Sequence, residues 1–188
     1  SGNSYSTLQI GSQVWMAENL KTTKYADGSD IPFVTQGSQN LTTGYYLYYD
    51  INNYGMLYNG YAMQDARNVC PSGWHVPSDL EWGTLADIFG FPNGNTWVGS
   101  GGALKSESFF GGQISGATNE SFMSLVPGGF EDGGTNANTQ VGNQGHYWSS
   151  DLNGGPSPGY YRIDQNDDDF TGGTHLMYRA CSIRCVKD

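Results

Sequence analysis

The chain has 188 residues and carries 18 acidic against 8 basic side chains, a formal net charge of −10. That length suits one domain with a real core, spanning 1–188 with 1–7 as a loose start. The charge excludes nucleic acid, because no basic stripe exists to neutralise phosphates, and it disfavours an anionic membrane surface. Only 14% of residues are charged, while Gly (28) and Tyr (13) are abundant, which points to short strands, tight turns and long ordered loops. No run of 18 apolar residues is present, so no segment reads as a membrane-spanning helix.

In chain order, Leu8–Ile10 and Gln13–Met16 read as a hairpin around a Gly11-Ser12 turn. Asp27-Gly28 marks another turn, and 34–44 is a polar loop. Tyr45–Tyr49 has strand propensity, Asn52-Asn53 turns the chain, and Met56–Tyr58 resumes it. Ala62, Met63 and Ala66 suggest a short helix within 61–68. The clearest element follows. Ser78 lies three residues before Glu81, a capping box, and Trp82, Leu85, Ala86 and Phe89 then form one apolar face. Gly90 is placed to end this helix in a left-handed conformation. Just upstream, Trp74 and Val76 are expected to turn inward.

Residues 93–116 are Gly-rich but interrupted by Trp97, Leu104, Phe109 and Phe110, so an ordered excursion is expected. Strands are then expected at Phe122–Val126, His146–Ser149, Tyr160–Ile163, Thr174–Tyr178 and Ala180–Val186, with an acidic turn at Gln165–Asp169. On a closing strand, Cys181 and Cys185 would stand about 13 Å apart, too far for a bridge. Cys70 therefore pairs with one of them or with none.

Several stretches, taken together and in order, resemble the Fibrobacter succinogenes major paralogous domain. They are residues 10–20 (IGSQVWMAENL), 57–62 (LYNGYA), 70–82 (CPSGWHVPSDLEW), 125–130 (LVPGGF), 147–150 (YWSS) and 182–188 (SIRCVKD). The resemblance runs from about residue 8 to the end. The WHVPSDLEW segment and the RCV ending are also similar to the formylglycine-generating-enzyme branch of the C-type-lectin-like fold. This implies an α+β domain of small antiparallel sheets with one or two short helices and long ordered loops. The capped helix, with Ser78, Glu81 and Trp82 as its structural residues, packs beneath a sheet, and the last strand returns beside the first. The resemblance also implies a Cys70–Cys185 disulfide, with Cys181 a free buried thiol. It further implies a bacterial protein that is secreted or anchored at the outer surface, as a lipoprotein for example.

The chemistry tested against the residues mostly fails. Cys181 and Cys185 sit in the wrong place for the thiol pair of a formylglycine generator. His75, His146 and His175 lack the spacing of a sulfoxide-synthase iron site, and zinc held by Cys and His lacks a Cys-x-x-Cys pair. His75 reads as a packed or hydrogen-bonded residue, and Glu131-Asp132 as a solvated loop. The calcium triplets of true lectins are absent. Asp164, Asn166 and Asp168 match the first three ligands of an EF-hand loop, but Asp169 stands where Gly is needed and His175 where Glu is needed. An exposed acidic turn is the main reading there and a calcium site the alternative, with no other cofactor expected. Trp97 with Asn93 and Asn95 can either stack on a sugar or anchor the excursion to the core. Tyr160 and Tyr161 are further candidates, one facing in and one out. The expected function is a non-catalytic recognition module for an extracellular glycan or protein, not an enzyme. The alternatives are an enzyme of the same fold with an unrecognised site and a structural part of a surface adhesin.

Overall fold

The computed structural model describes residues 2–110, 116–134 and 138–188. It is an α+β arrangement of three small antiparallel sheets with a few short helices. β1 (Thr7–Ile10) and β2 (Gln13–Met16) form the expected hairpin, with Gly11 at φ 57° in its turn. β3 (Tyr46–Leu47), α1 (Ile51–Tyr54), β4 (Leu57–Asn59) and α2 (Gly60–Met63) follow. β5 (Trp74–His75) leads into α3 (Asp79–Ala86), and β6 (Phe91–Asn93) and β7 (Thr96–Val98) form a second hairpin. α4 (Ser100–Leu104), α5 (Glu107–Phe110), β8 (Phe130–Glu131) and β9 (Asn138–Thr139) precede the long strands β10 (Gln144–Leu152) and β11 (Pro158–Asp164). β12 (Phe170–Thr174), β13 (Ala180–Cys181) and β14 (Val186–Lys187) complete the chain.

The first sheet runs β1-β2-β14-β5, so the two ends of the chain lie side by side. Val186 pairs with Trp15 on one side and His75 on the other. Cys70 and Cys185 form a disulfide across 115 residues, and Cys181 is a buried free thiol. Closing so long a loop restricts the unfolded chain, worth about 4–5 kcal/mol in the chain-entropy account and often less in practice. The other two sheets run β3-β4-β13-β8-β9 and β10-β11-β12-β7-β6.

The capping box is formed on both sides. The Ser78 hydroxyl accepts from the Glu81 N–H at 3.2 Å, and Glu81 accepts from the Ser78 N–H at 2.8 Å. Trp82, fully buried, donates from its indole nitrogen to the Trp148 carbonyl at 3.1 Å. Trp148 in turn donates to the Tyr58 carbonyl at 2.7 Å. Trp15, Tyr147, Tyr161 and Phe170 all lie with ring centroids within 6.1 Å of Trp82. Two large cores result, one around Trp82 and one around the disulfide with Tyr58 and Trp148, and a smaller third cluster gathers Tyr45, Leu47, Leu57 and Ala180. Burying an aromatic or leucine side chain in such a core contributes roughly 1.5–3 kcal/mol.

Several expectations are corrected. Gly90 has no left-handed φ; its role is clearance, since a Cβ there would stand 2.3 Å from the Val98 carbonyl oxygen and the Ser100 hydroxyl. Asn52-Asn53 is not a turn but the middle of α1, because Asp50 caps both of their backbone N–H groups. Residues 122–126 form no strand: Phe122 and Ser124 have positive φ, and Leu125 alone bridges to Lys105. The expected strand 174–178 lies earlier, at β12, where Thr171–Gly173 pair with 160–162, and His175 lies just past its end, ahead of a turn at 177–178. The closing strand is two short pieces in different sheets, and its whole length is buried. Arg184 lies in the core, satisfied by Asn19 and by the Met16 and Met123 carbonyls. At the N-terminus, part of the expected loose start is tied down, with the Lys21 N–H donating to the Tyr5 hydroxyl at 2.9 Å.

Candidate functional site

Alternation along β11 sends its two tyrosines to different cores. Tyr161 packs on Trp82 and Phe170, and Tyr160 stacks on His175 with centroids 3.9 Å apart and planes 8° from parallel. Both line one open cleft of about 430 Å³, together with Asp79, Asn95, Trp97 and Asn153. Opposite the tyrosines, β12 contributes Gly172 and Gly173. A Cβ at Gly173 would meet the Tyr160 ring at 2.8 Å, and one at Gly172 the Tyr161 ring at 3.2 Å. Two consecutive glycines therefore let both rings lie across the strand.

Trp97 is both an anchor and a cleft wall. Its indole donates to the Asp87 carboxylate at 2.6 Å, and its ring sits where a Cβ on Gly83 would come within 3.0 Å. These contacts clamp the β6–β7 hairpin onto α3, and the same ring faces Tyr161 at 5.8 Å. Asp79, in the first turn of α3, accepts from the Asn153 amide at 2.8 Å, and its backbone N–H donates to Asp151 at 2.7 Å. Asn95 is exposed at the rim, and its side chain has no hydrogen-bond partner among the described residues. Asn93 lies farther out on the same hairpin and does not line the cleft. Burial, followed by the charges of Asp79 and Asp151, raises the pKa of the Tyr161 phenol.

Directly behind Tyr160 lies a second polar group. His146, His175 and Cys181 are all buried, and their ligating atoms fall within 4.8 Å of one another. Sequence spacing could not show this, because the three come from β10, the residue just past β12, and β13. The hydrogen bonds explain the arrangement without an ion. Arg179 donates to His175 Nδ1 at 2.8 Å, so His175 carries its proton on Nε2 and donates to His146 Nδ1 at 3.0 Å. His146 Nε2–H then donates to Gln144 Oε1 at 3.0 Å, and the Gln144 amide donates to Asp164. Every donor points the same way, from a cation to an anion. Both imidazoles are neutral: burial, then Arg162 and Arg179, lowers His146 to about 3, and burial, then His146 and Arg179, lowers His175 to about 2. The lone pair of each imidazole thus accepts from a donor of this chain.

The acidic turn also serves the fold. Asp164 accepts from the Asn166 backbone at 2.9 Å and its side-chain amide at 3.0 Å, and Lys105 reaches in to the Asp164 and Asp167 carbonyls. The Asp168 carbonyl accepts from Gly102 at 3.1 Å, and the Asp169 carboxylate accepts from Gly99 at 3.1 Å. The turn thus holds the start of α4. His75 is hydrogen-bonded as expected, with both ring nitrogens against carboxylates, Asp188 at 2.7 Å and Glu81 at 2.8 Å. Burial opposes its charge, but the two carboxylates prevail and raise its pKa. Glu131 corrects the solvated-loop reading: it is 1% exposed, with its carboxylate filling the space that Gly37 leaves by lacking a Cβ. Burial raises its pKa.

The fold and the cleft define a small, disulfide-closed α+β domain with an aromatic and polar recess at one sheet. The model of the Fibrobacter succinogenes major domain matches residues 8–187, and the chain belongs to that family. No curated protein and no solved structure matches it.

Proposed function

We propose that this domain is a non-catalytic recognition module, secreted or displayed at a bacterial outer surface, that takes an extracellular glycan in the cleft between Trp97 and Tyr160. The observation that carries this reading is the composition of the cleft. Aromatic faces sit beside side chains that still have hydrogen-bonding capacity, namely Asn95, Asn153 and Asp79. Pyranose rings present an apolar face and a rim of hydroxyls, and this pairing suits both. We take the fold as C-type-lectin-like, on the support of the adjoining terminal strands and of the capped helix that packs under Trp148. Our reading involves no lectin-type calcium, because Asp79 is the one carboxylate that lines the cleft among the described residues.

A glycan array probed with the wild-type domain and with Trp97→Ala and Tyr160→Ala tests the reading. Binding to a glycan that both variants lose is the expected result. A domain that ignores every glycan, or variants that bind as well as the parent, would overturn it. Stoichiometric copper or iron in the purified protein would favour an enzyme instead, and stable oligomers would favour an adhesin component.

A further inference from the structure

The charge around the cleft narrows the class of sugar. Asp79 lies inside it, while Asp151 accepts from the Asp79 backbone and Asp87 accepts from the Trp97 indole immediately behind the walls. Among the described residues, no Lys or Arg lines it. The bases sit elsewhere. Lys24 and Arg67 pair with Asp30 and Asp65, Arg184 is buried in the core, and Arg179 is bound to His175. Arg162, two residues along the strand from Tyr160, acts on His146 and Asp167. The phenol of Tyr161 already feels the negative field of Asp79 and Asp151.

We propose that the cleft selects uncharged pyranosides and rejects uronic and sulfated sugars, with Asp79 as the residue that sets this preference. The inference rests on the glycan reading above. A carboxylate or sulfate entering the cleft would lose its water beside Asp79 and meet no cation in return, a repulsive contact of the kind that gives interfaces their specificity. A neutral sugar meets the same carboxylate as a hydrogen-bond acceptor for its hydroxyls, and charge-assisted bonds of that type are the stronger ones. Asn95 and Asn153, which line the same cleft, supply both donors and acceptors.

The test titrates neutral oligosaccharides (glucan, mannan and acetylated chitin fragments) and anionic ones (galacturonan, alginate and sulfated fragments) against the wild type and Asp79→Asn. Low and moderate salt are both used. We expect the wild type to prefer the best neutral ligand over the best anionic one by at least about tenfold at low salt, and we expect added salt to narrow the gap. Asp79→Asn keeps the shape and should shrink the preference to about threefold or less. A thermal melt of this variant within a few degrees of the parent shows that the fold is kept. Equal or tighter wild-type binding of anionic fragments, lost in Trp97→Ala, overturns this inference and leaves the glycan reading standing. An unchanged preference in Asp79→Asn removes Asp79 from its role. No binding of any fragment overturns both.

Discussion

Two polar clusters lie on either side of one ring, Tyr160, and they behave in opposite ways. Behind the ring, Arg179, His175, His146, Gln144 and Asp164 form a continuous chain of hydrogen bonds in which both buried imidazoles have partners on each nitrogen. In front of it, Asp79, Asn95 and Asn153 stand in an open recess with capacity to spare. The comparison teaches that converging polar side chains are not in themselves a site. The buried set has the more suggestive chemistry, two histidines and a cysteine within ligand reach. Yet each imidazole nitrogen already has its partner, and a buried network of this kind rigidifies what it supports. Its role here is to hold the ring of Tyr160 as a wall of the cleft.

The largest expected effect falls on the frame that both clusters share. Reducing the Cys70–Cys185 disulfide should lower stability by a few kcal/mol, up to about 4–5. The check is denaturant unfolding with and without reductant, and a Cys181→Ala control should keep the reductant sensitivity. Next comes the buried chain. His146→Leu breaks it in the middle and leaves His175 and Gln144 facing an apolar group, which should cost about 2–4 kcal/mol. The same variant of a metal centre would release an ion, whereas here the melting temperature of the wild type should not rise with added zinc or copper.

The pH dependence sharpens the contrast. His146 and His175 have depressed pKa values in the folded state, so their stabilising effect is present above the ordinary histidine value of about 6.5 and is lost as pH falls toward their folded values. Between about pH 6 and 5 the unfolded chain takes up these protons and the folded chain does not, so stability should fall with a slope approaching two protons. His75 acts oppositely. Its raised pKa gives stability below about 6.5 that is lost as pH rises through its folded value, so it adds no slope in the acid window. A His146→Gln, His175→Gln double variant should flatten the acid slope while Asp188→Asn leaves it unchanged. A smaller effect on stability is expected in front of the ring. Asn95→Ala and Asn153→Ala should change it by less than about 0.5 kcal/mol, as exposed polar substitutions do, and yet weaken sugar binding severalfold.

The legibility of these regions in the sequence follows from distance along the chain. The capped helix was readable because Ser78, Glu81 and the Trp82 face lie within one short segment. The Cys70–Cys185 pairing was readable only through the family resemblance, since spacing alone excluded one bridge without selecting another. Trp97, Asn95, Tyr160 and Tyr161 stood out as aromatic and amide residues in Gly-rich surroundings, and the cleft gathers all four. Asp79 and Asn153 did not stand out, because one looks like an ordinary first-turn acid and the other like loop filler. Their meeting at 2.8 Å spans 74 residues. The strand at 122–126 failed for a related reason. Burial does alternate there, with Met123 and Leu125 inside and Phe122 exposed, but the backbone turns left-handed at Phe122 and Ser124 to bring Leu125 beside Lys105. The acidic turn read as exposed, whereas Lys105 approaches it from beneath across about sixty residues of chain.

A crystal structure of the domain soaked with a neutral oligosaccharide tests the central claim most directly. The account predicts a sugar ring between Trp97 and Tyr160, with hydroxyls on Asp79 and Asn95 and the His146–His175 pair unmoved behind it. Sugar seated on another face, or an ion held between His146, His175 and Cys181, would contradict it.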